Sequence, residues 1–339
     1  MKASIAAALG AGIALAAAGA ARAGTLDTVK KNGVLRCGVT TGLIGFSQPD
    51  SSGAWKGFDV DLCRALASAI FDDPTKVKYV PTTPVDRMTV LLAGDIDVLS
   101  RVTTVTLSRE EGGLMFAGVN YYDGQGFIVR KDPKHEVKSA LDLGGASICV
   151  QAGSTTQGNL VDYFGSHGIK VDVVTFGTAP ETLAAYDSGR CDVYTTDASA
   201  LYSQRLKMKD PAANVVLPEI ISKEPLGPAV RKDDVAWFQL VSWTLHAMVD
   251  AEELGVTSKN VDEKLKSNDP ATLRLLGVKG DLGTKLGVSN DWVVRILKHV
   301  GNYGESFEAN LGSGSPLKIA RGLNALWTKG GLQYSPPFE

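Results

Sequence analysis

The segment Thr106-Leu107-Ser108-Arg109 reads as an N-capped short helix that holds a guanidinium at its first turn. A guanidinium is a planar fork that pairs with a carboxylate through two parallel hydrogen bonds. Further along, Gln151-Ala152-Gly153-Ser154-Thr155-Thr156 joins an expected strand to an expected helix. Glycine there lets backbone N–H groups point at an anion, and the helix dipole adds to the attraction. Asp197 follows the end of another expected strand, where a carboxylate can receive an ammonium. Each also has an ordinary structural reading: a lone Arg is often a surface charge, Gly-Ser-Thr-Thr a helix cap, and Asp197 a cap for the helix after it.

The elements that must position these groups alternate between strand and helix. Residues 33–39 read as a buried strand, and Phe58, Leu62, Leu66 and Ile70 mark one face of a helix. Residues 77–80 form a second strand, and Thr83 with Pro84 opens a helix that runs through Leu92. Gly94 ends it, and 96–99 start a third strand. This βαβαβ order belongs to a parallel sheet covered by helices on both faces. The same order then recurs: strand 146–150, helix 159–164, strand 171–176, helix 180–186, and a strand beginning at 189–194. Ala93-Gly94-Asp95-Ile96-Asp97-Val98 and Ser188-Gly189-Arg190-Cys191-Asp192-Val193 match in role and nearly in letters. Each third strand runs into hydroxyl-rich residues: Ser100, Thr103, Thr104 and Thr106 in one unit, Thr195, Thr196 and Ser199 in the other. The two units are similar lobes. Ligands of open parallel sheets bind beyond the carboxyl ends of the strands, so a cleft between facing lobes is the expected site.

Composition narrows the function. The chain has 339 residues, 44% hydrophobic and 21% charged, in the range of ordinary water-soluble globular proteins. Its formal net charge of −2 lacks the basic excess of a nucleic-acid binder. Four Cys and four His occur without zinc-ligand spacing, so neither a metal nor another cofactor is expected. Lys2, the apolar run 5–18 and Ala21-Arg22-Ala23 read as an export signal cleaved after Ala23. Export to an oxidising compartment permits disulfides. Cys149 and Cys191 are expected on neighbouring first and third strands, within bridging range if register allows. Cys37 and Cys63 form a weaker candidate pair, because a covering helix stands further from the sheet than a neighbouring strand. All four could equally pack as free, buried thiols.

Four segments, taken in order, resemble the periplasmic amino-acid-binding proteins of ABC importers. Residues 97–109, from Asp97 to Arg109, resemble their arginine motif, and Gly57-Phe58-Asp59-Val60-Asp61-Leu62 resembles their G-F-D-x-D-L signature. Gly153-Ser154-Thr155-Thr156 resembles their G-T-T loop, and Gly189-Arg190-Cys191-Asp192 with Asp197 resembles their G-x-x-D…D segment. The tail, with Leu311-Gly312-Ser313-Gly314-Ser315-Pro316-Leu317, looks like the long-tailed branch typified by general L-amino-acid binders of alphaproteobacteria.

The resemblance implies an α/β two-lobed binding protein of type II, each lobe a parallel-rich sheet flanked by helices, joined by a two-strand hinge. After a signal peptide at 1–23, lobe 1 would comprise 24–127 plus 231–339 and lobe 2 residues 128–230. The chain would cross near Gly126-Phe127-Ile128-Val129 and near Gly227-Pro228-Ala229-Val230. Arg109 would take the α-carboxylate of a free L-amino acid, with Thr104, Ser154 and Thr155 in support, and Asp197 its α-ammonium. Arg101, Val102, Gln151, Thr40 and Leu43 would complete the lining. Leu43 stands where many relatives stack a ring, and Thr40 where binders of cationic amino acids often place an acid; both imply a roomier, less charged pocket. The protein would be a periplasmic monomer serving a membrane permease, with no nucleic acid as partner and no catalysis. Two alternatives share the fold. A periplasmic dehydratase would need a pocket acid, for which Asp197 is the candidate, with no His or second acid beside the motifs. A chemosensory binding protein would use the same cleft.

Overall fold

The computed structural model describes residues 24–132 and 136–339. The expected signal at 1–23 and His135 lie outside the described residues. From Gly24 the chain forms α1 (Thr25–Asn32), β1 (Leu35–Val39), a small hairpin of β2 (Gln48–Pro49) and β3 (Trp55–Lys56), then α2 (Phe58–Phe71) and β4 (Val77–Pro81). It continues through α3 (Arg87–Leu92), β5 (Val98–Leu99), α4 (Leu107–Glu111) and β6 (Leu114–Phe116). Next come β7 (Tyr121–Asp123), β8 (Gln125–Arg130), β9 (Ser147–Gln151), α5 (Thr155–Ser166), β10 (Asp172–Phe176), α6 (Ala179–Asp187), β11 (Val193–Asp197), α7 (Ala198–Arg205) and β12 (Asn214–Val216). The chain returns through β13 (Glu224–Leu226) and β14 (Ala229–Arg231) to the long helix α8 (Val235–Glu253). Five short helices follow, α9 (Val261–Lys264), α10 (Pro270–Leu275), α11 (Leu282–Lys285), α12 (Trp292–His299) and α13 (Tyr303–Asn310).

Two five-stranded sheets result, ordered β4-β1-β5-β14-β6 and β10-β9-β11-β8-β12. In each, the three strands of the repeated unit run parallel and two further strands join through antiparallel pairings, β14 and β6 in one sheet and β8 and β12 in the other. The near-identical segments do the same mechanical job in both. Gly94 and Gly189 take left-handed φ values of 79° and 82° after α3 and α6. Asp97 then accepts the Arg36 N–H at 2.8 Å, and Asp192 the Ser147 N–H at 2.8 Å. Each aspartate thereby ties the approach to its third strand to the start of its first. The paired ladder begins only afterwards, at Val98 and at Val193, slightly later than the apolar pattern suggests.

Two expectations move. The helix foreseen from Thr83 and Pro84 begins at Arg87. Thr83 N–H donates to Asp86 at 2.7 Å and Asp86 N–H to the Thr83 hydroxyl at 3.3 Å, closing a turn over Pro84 and Val85 first. The first crossing also lies earlier than Gly126-Phe127-Ile128-Val129. All of β8 pairs with β11, from Gln125 opposite Asp197 to Val129 opposite Val193, and so belongs to the second sheet. The paired crossing strands are instead β7 and β13, with Glu224 opposite Asp123 and Leu226 opposite Tyr121. Gly227 follows directly: a Cβ there would lie 2.1 Å from the Gly118 carbonyl oxygen, so only glycine lets the two crossings approach this closely.

The G-F-D-x-D-L signature divides its labour. Gly57, at φ 134°, has no room for a Cβ, which would fall 2.1 Å from the Phe46 carbonyl oxygen. Asp61 reaches the tail, accepting from Ser306 at 2.8 Å and Asn310 at 2.7 Å. Around that tether Phe58, Leu62, Met248, Trp292, Ile296, Tyr303 and Phe307 form one buried cluster, so the tail packs on the first lobe. Burial of this kind is worth about 1.5–3 kcal/mol per large apolar side chain.

Both cysteine pairs are bridged, Cys149–Cys191 with Cα atoms 5.7 Å apart and Cys37–Cys63 with 6.3 Å. Cys191 lies just ahead of β11 rather than on it, and α2 packs closely enough on β1 for the second bridge. The unreduced, unfolded protein is therefore expected to take up no alkylating agent at cysteine. Reduction should expose all four thiols and cost about 2–5 kcal/mol of stability per bridge in urea melts. Mass spectrometry that finds four alkylated thiols before reduction would contradict both bridges.

Candidate functional site

The site begins where β5 ends. Asp59, buried on the first turn of α2, accepts the Val102 N–H at 3.0 Å and the Asn120 amide at 3.3 Å, while Ser100 donates to its carbonyl at 3.0 Å. These bonds hold Val102 at φ 38°, a left-handed conformation that a β-branched residue adopts only under constraint. Burial pushes the Asp59 carboxyl up to about 6, against the pull of the Val102 N–H, Asn120 and Arg101. Beyond the turn, Thr106 caps α4 by accepting the Arg109 N–H at 3.3 Å. The Arg109 guanidinium folds back onto the Thr104 carbonyl at 2.6 Å. Arg109 is 7% exposed, which removes the surface-charge reading.

On the facing lobe the Ser154 hydroxyl accepts the Gln157 N–H at 3.2 Å, so the G-T-T-like loop is a helix cap as well. Asp197 stands ahead of α7 without capping it, although it is 9% exposed. Burial drives its carboxyl well above the usual range, and the neighbouring Asp123 and Glu224 carboxylates add to the rise; Arg87 and Arg109 oppose it.

One cleft gathers these groups. Thr40, Leu43, Arg101, Val102, Thr104, Gln151, Ser154, Thr155 and Asp197 all line it. Arg109 is the exception among the expected residues: it stands behind Thr104, outside the lining. Thr40 is tied to its own loop, its hydroxyl donating to the Ser47 carbonyl at 2.9 Å. Lys207 reaches across the mouth to the Gly42 carbonyl at 2.9 Å. His167, His246 and His299 lie away from the cleft.

Two functional residues escaped the sequence reading. Arg87, 3% exposed, lines the cleft; its Nη1 donates to Thr103 at 3.3 Å and its Nε has no partner. Burial lowers its basicity, and the nearby Arg101 and Arg109 guanidiniums lower it further. A cation at the first position of a helix opposes the helix dipole, a broken local rule that shows only once the helix is seen to start at Arg87. Glu224 sits on the returning crossing strand, 1% exposed. Its carboxylate accepts from Thr104 at 2.6 Å and Thr155 at 2.8 Å on one oxygen. The other oxygen takes Asn159 at 2.7 Å and Ser222 at 2.8 Å. Acids thus do lie near Asp197, contrary to the sequence expectation. Neither Glu224 nor Asp123 lines the cleft, however, and Asp197 is the one carboxylate in its lining among the described residues.

The family model for bacterial extracellular solute-binding proteins, family 3, matches residues 35–260, both sheets and the cleft included. The chain belongs to this family. It is 58% identical to the general L-amino acid-binding periplasmic protein AapJ of Rhizobium johnstonii, over 98% of each chain. It is 50% identical to the glutamate/glutamine/aspartate/asparagine-binding protein BztA of Rhodobacter capsulatus, over 96% of this chain and 97% of that one. A solved structure, an ABC transporter periplasmic binding protein from Brucella ovis with glutathione bound, superposes with a TM-score of 0.92 at 56% identity. That match covers 94% of this chain and all of the other. The two-lobed architecture of the type II binding proteins is therefore a family feature, and the long tail, which lies beyond the family match, is shared with AapJ and the Brucella ovis protein. No helix among the described residues is long and apolar enough to cross a membrane.

Proposed function

We propose that this solute-binding protein captures a free L-amino acid in the interlobe cleft, within the periplasm, and delivers it to the membrane permease of an ABC importer. The observation that carries the reading is the polarity of the cleft. The first lobe brings the Arg87 and Arg101 guanidiniums to the lining, and the second brings the N-terminus of α5 and the one lining carboxylate among the described residues, Asp197. That is the complement of a zwitterion. Arg109 and the first-turn N–H groups of α5 take the α-carboxylate, since those N–H groups have no partner within the helix. Thr104 and Thr155 donate their protons to Glu224, so they support the arrangement and turn lone pairs to the ligand. Asp197 takes the α-ammonium. The relatives' names support the same unit, because glutamate, glutamine and the γ-glutamyl end of glutathione all carry an ammonium and a carboxylate on one carbon. Closure about β7 and β13 traps the ligand without chemistry. A proton-transferring enzyme of the dehydratase kind would pair Asp197 with a second carboxylate or a histidine, and among the described residues no other carboxylate and no histidine lines the cleft. Calorimetry with glutamate, glutamine, leucine and lysine tests the reading directly.

Arg87 supports a tilt within that breadth. A buried guanidinium with an unpartnered Nε is costly until an anion meets it, and the α-carboxylate is already served by Arg109. A second carboxylate on the ligand side chain supplies that anion. Arg87→Ala is therefore expected to weaken glutamate by roughly tenfold or more relative to leucine, the scale of one charge-assisted hydrogen bond. Equal losses for both ligands, measured by calorimetry, would remove Arg87 from the side-chain subsite.

A further inference from the structure

We infer that Glu224 is a positioning residue that fastens the two lobes together when the cleft closes, without touching the ligand. The inference rests on the amino-acid-capture reading only for the ligands used as probes. Glu224 belongs to β13, and Thr104 is locked to that strand through a bridge with Leu226. The Val105 N–H bonds the Pro225 carbonyl at 2.8 Å, and the Gly227 N–H the Thr103 carbonyl at 3.0 Å. The first lobe's ligand loop and the crossing strand therefore move as one piece. Thr155 and Asn159 come from α5, in the second lobe. One carboxylate oxygen holds the Thr104 and Thr155 hydroxyls, which stand 3.3 Å apart, and the other holds Asn159. Separating the lobes stretches the bonds from α5 whatever occupies the cleft. Hydrogen bonds to a buried charge are stronger than neutral ones and are made in full only in the closed form. Glu224 raises the closed fraction, and apparent affinity scales with that fraction for every ligand alike.

Glu224→Gln keeps the shape but turns an amide N–H toward one of the two donor pairs. Its dissociation constants for glutamate, glutamine and lysine should rise by one common factor, roughly tenfold. A ligand-free readout accompanies them. A short bis-maleimide joining Thr41→Cys to Lys207→Cys across the cleft mouth traps closed molecules, and Glu224→Gln should slow trapping several-fold. If Glu224→Gln does not fold, Asn159→Ala should give the same pattern at a smaller factor. Unchanged trapping overturns the inference, as does a factor that differs between glutamate and lysine, because that would make Glu224 a ligand contact. A wild-type protein that binds no amino acid refutes the capture reading instead, and the trapping rate still scores the latch.

Discussion

Arg109→Ala should abolish measurable binding of every amino acid rather than alter the preference among them. The guanidinium is buried and faces Glu224 and Asp197 electrostatically, so its removal leaves a desolvated ligand carboxylate without its partner. Truncating one member of such a pair costs about 2–5 kcal/mol or more, a loss of roughly thirtyfold to several thousandfold. Arg109→Lys should recover little, because an ammonium cannot both hold the Thr104 carbonyl and present a fork to the ligand. A melting temperature near that of the wild type separates lost binding from lost folding. Near-normal affinity of Arg109→Ala in calorimetry would mean that Arg87 or Arg101, which line the cleft, takes the carboxylate instead.

Asp197→Asn should be as damaging, and the wild type should reveal the reason through pH. Burial, together with the Asp123 and Glu224 carboxylates, raises the Asp197 pKa in the empty cleft, so the free protein holds a proton there to higher pH than an ordinary carboxyl does. An ammonium pairs only with the ionised form, and its arrival stabilises that form. Binding therefore expels a proton, and affinity climbs with pH until the free carboxyl is fully ionised. The slope approaches a factor of about ten per pH unit below that point. Calorimetry of leucine from the ordinary carboxylate range up to neutral pH, in buffer pairs of different ionisation heat, measures both affinity and proton release. Flat affinity with no proton release would take Asp197 out of the ammonium site.

The repeated unit was readable because its cause is local. Gly94 and Gly189 stop a helix a few residues ahead of the next element, and such relations survive as near-identical letters; Asp97 and Asp192 repeat with them, although their ties to Arg36 and Ser147 span 61 and 45 residues. The ligand loop was readable for the same reason: Thr106 caps the helix that carries Arg109 three residues on. Glu224 was not readable, because two of its partners lie 120 and 69 residues away in sequence. In the letters it is one acid in a short Glu-Pro-Leu strand. The first crossing was misplaced because β8 is apolar and glycine-bearing, which suits a hinge strand and an interior strand equally; only its pairing with β11 decides. The Thr83–Asp86 turn mimics a helix start through Pro84, and that displaced the helix and hid Arg87 at its true first position.

The central claim, capture of an amino-acid zwitterion, is tested most directly by the melting temperature of the purified protein against each of the twenty amino acids. A ligand at about a hundred times its dissociation constant stabilises the folded form by roughly 2.7 kcal/mol, enough for a clear shift. Several uncharged, acidic and basic L-amino acids should raise the melting temperature, the acidic ones most, with affinities within about two orders of magnitude of each other, roughly 2.7 kcal/mol. No shift with any amino acid, alongside a shift with a prephenate-like carboxylate that lacks an ammonium, would contradict the account and favour a dehydratase.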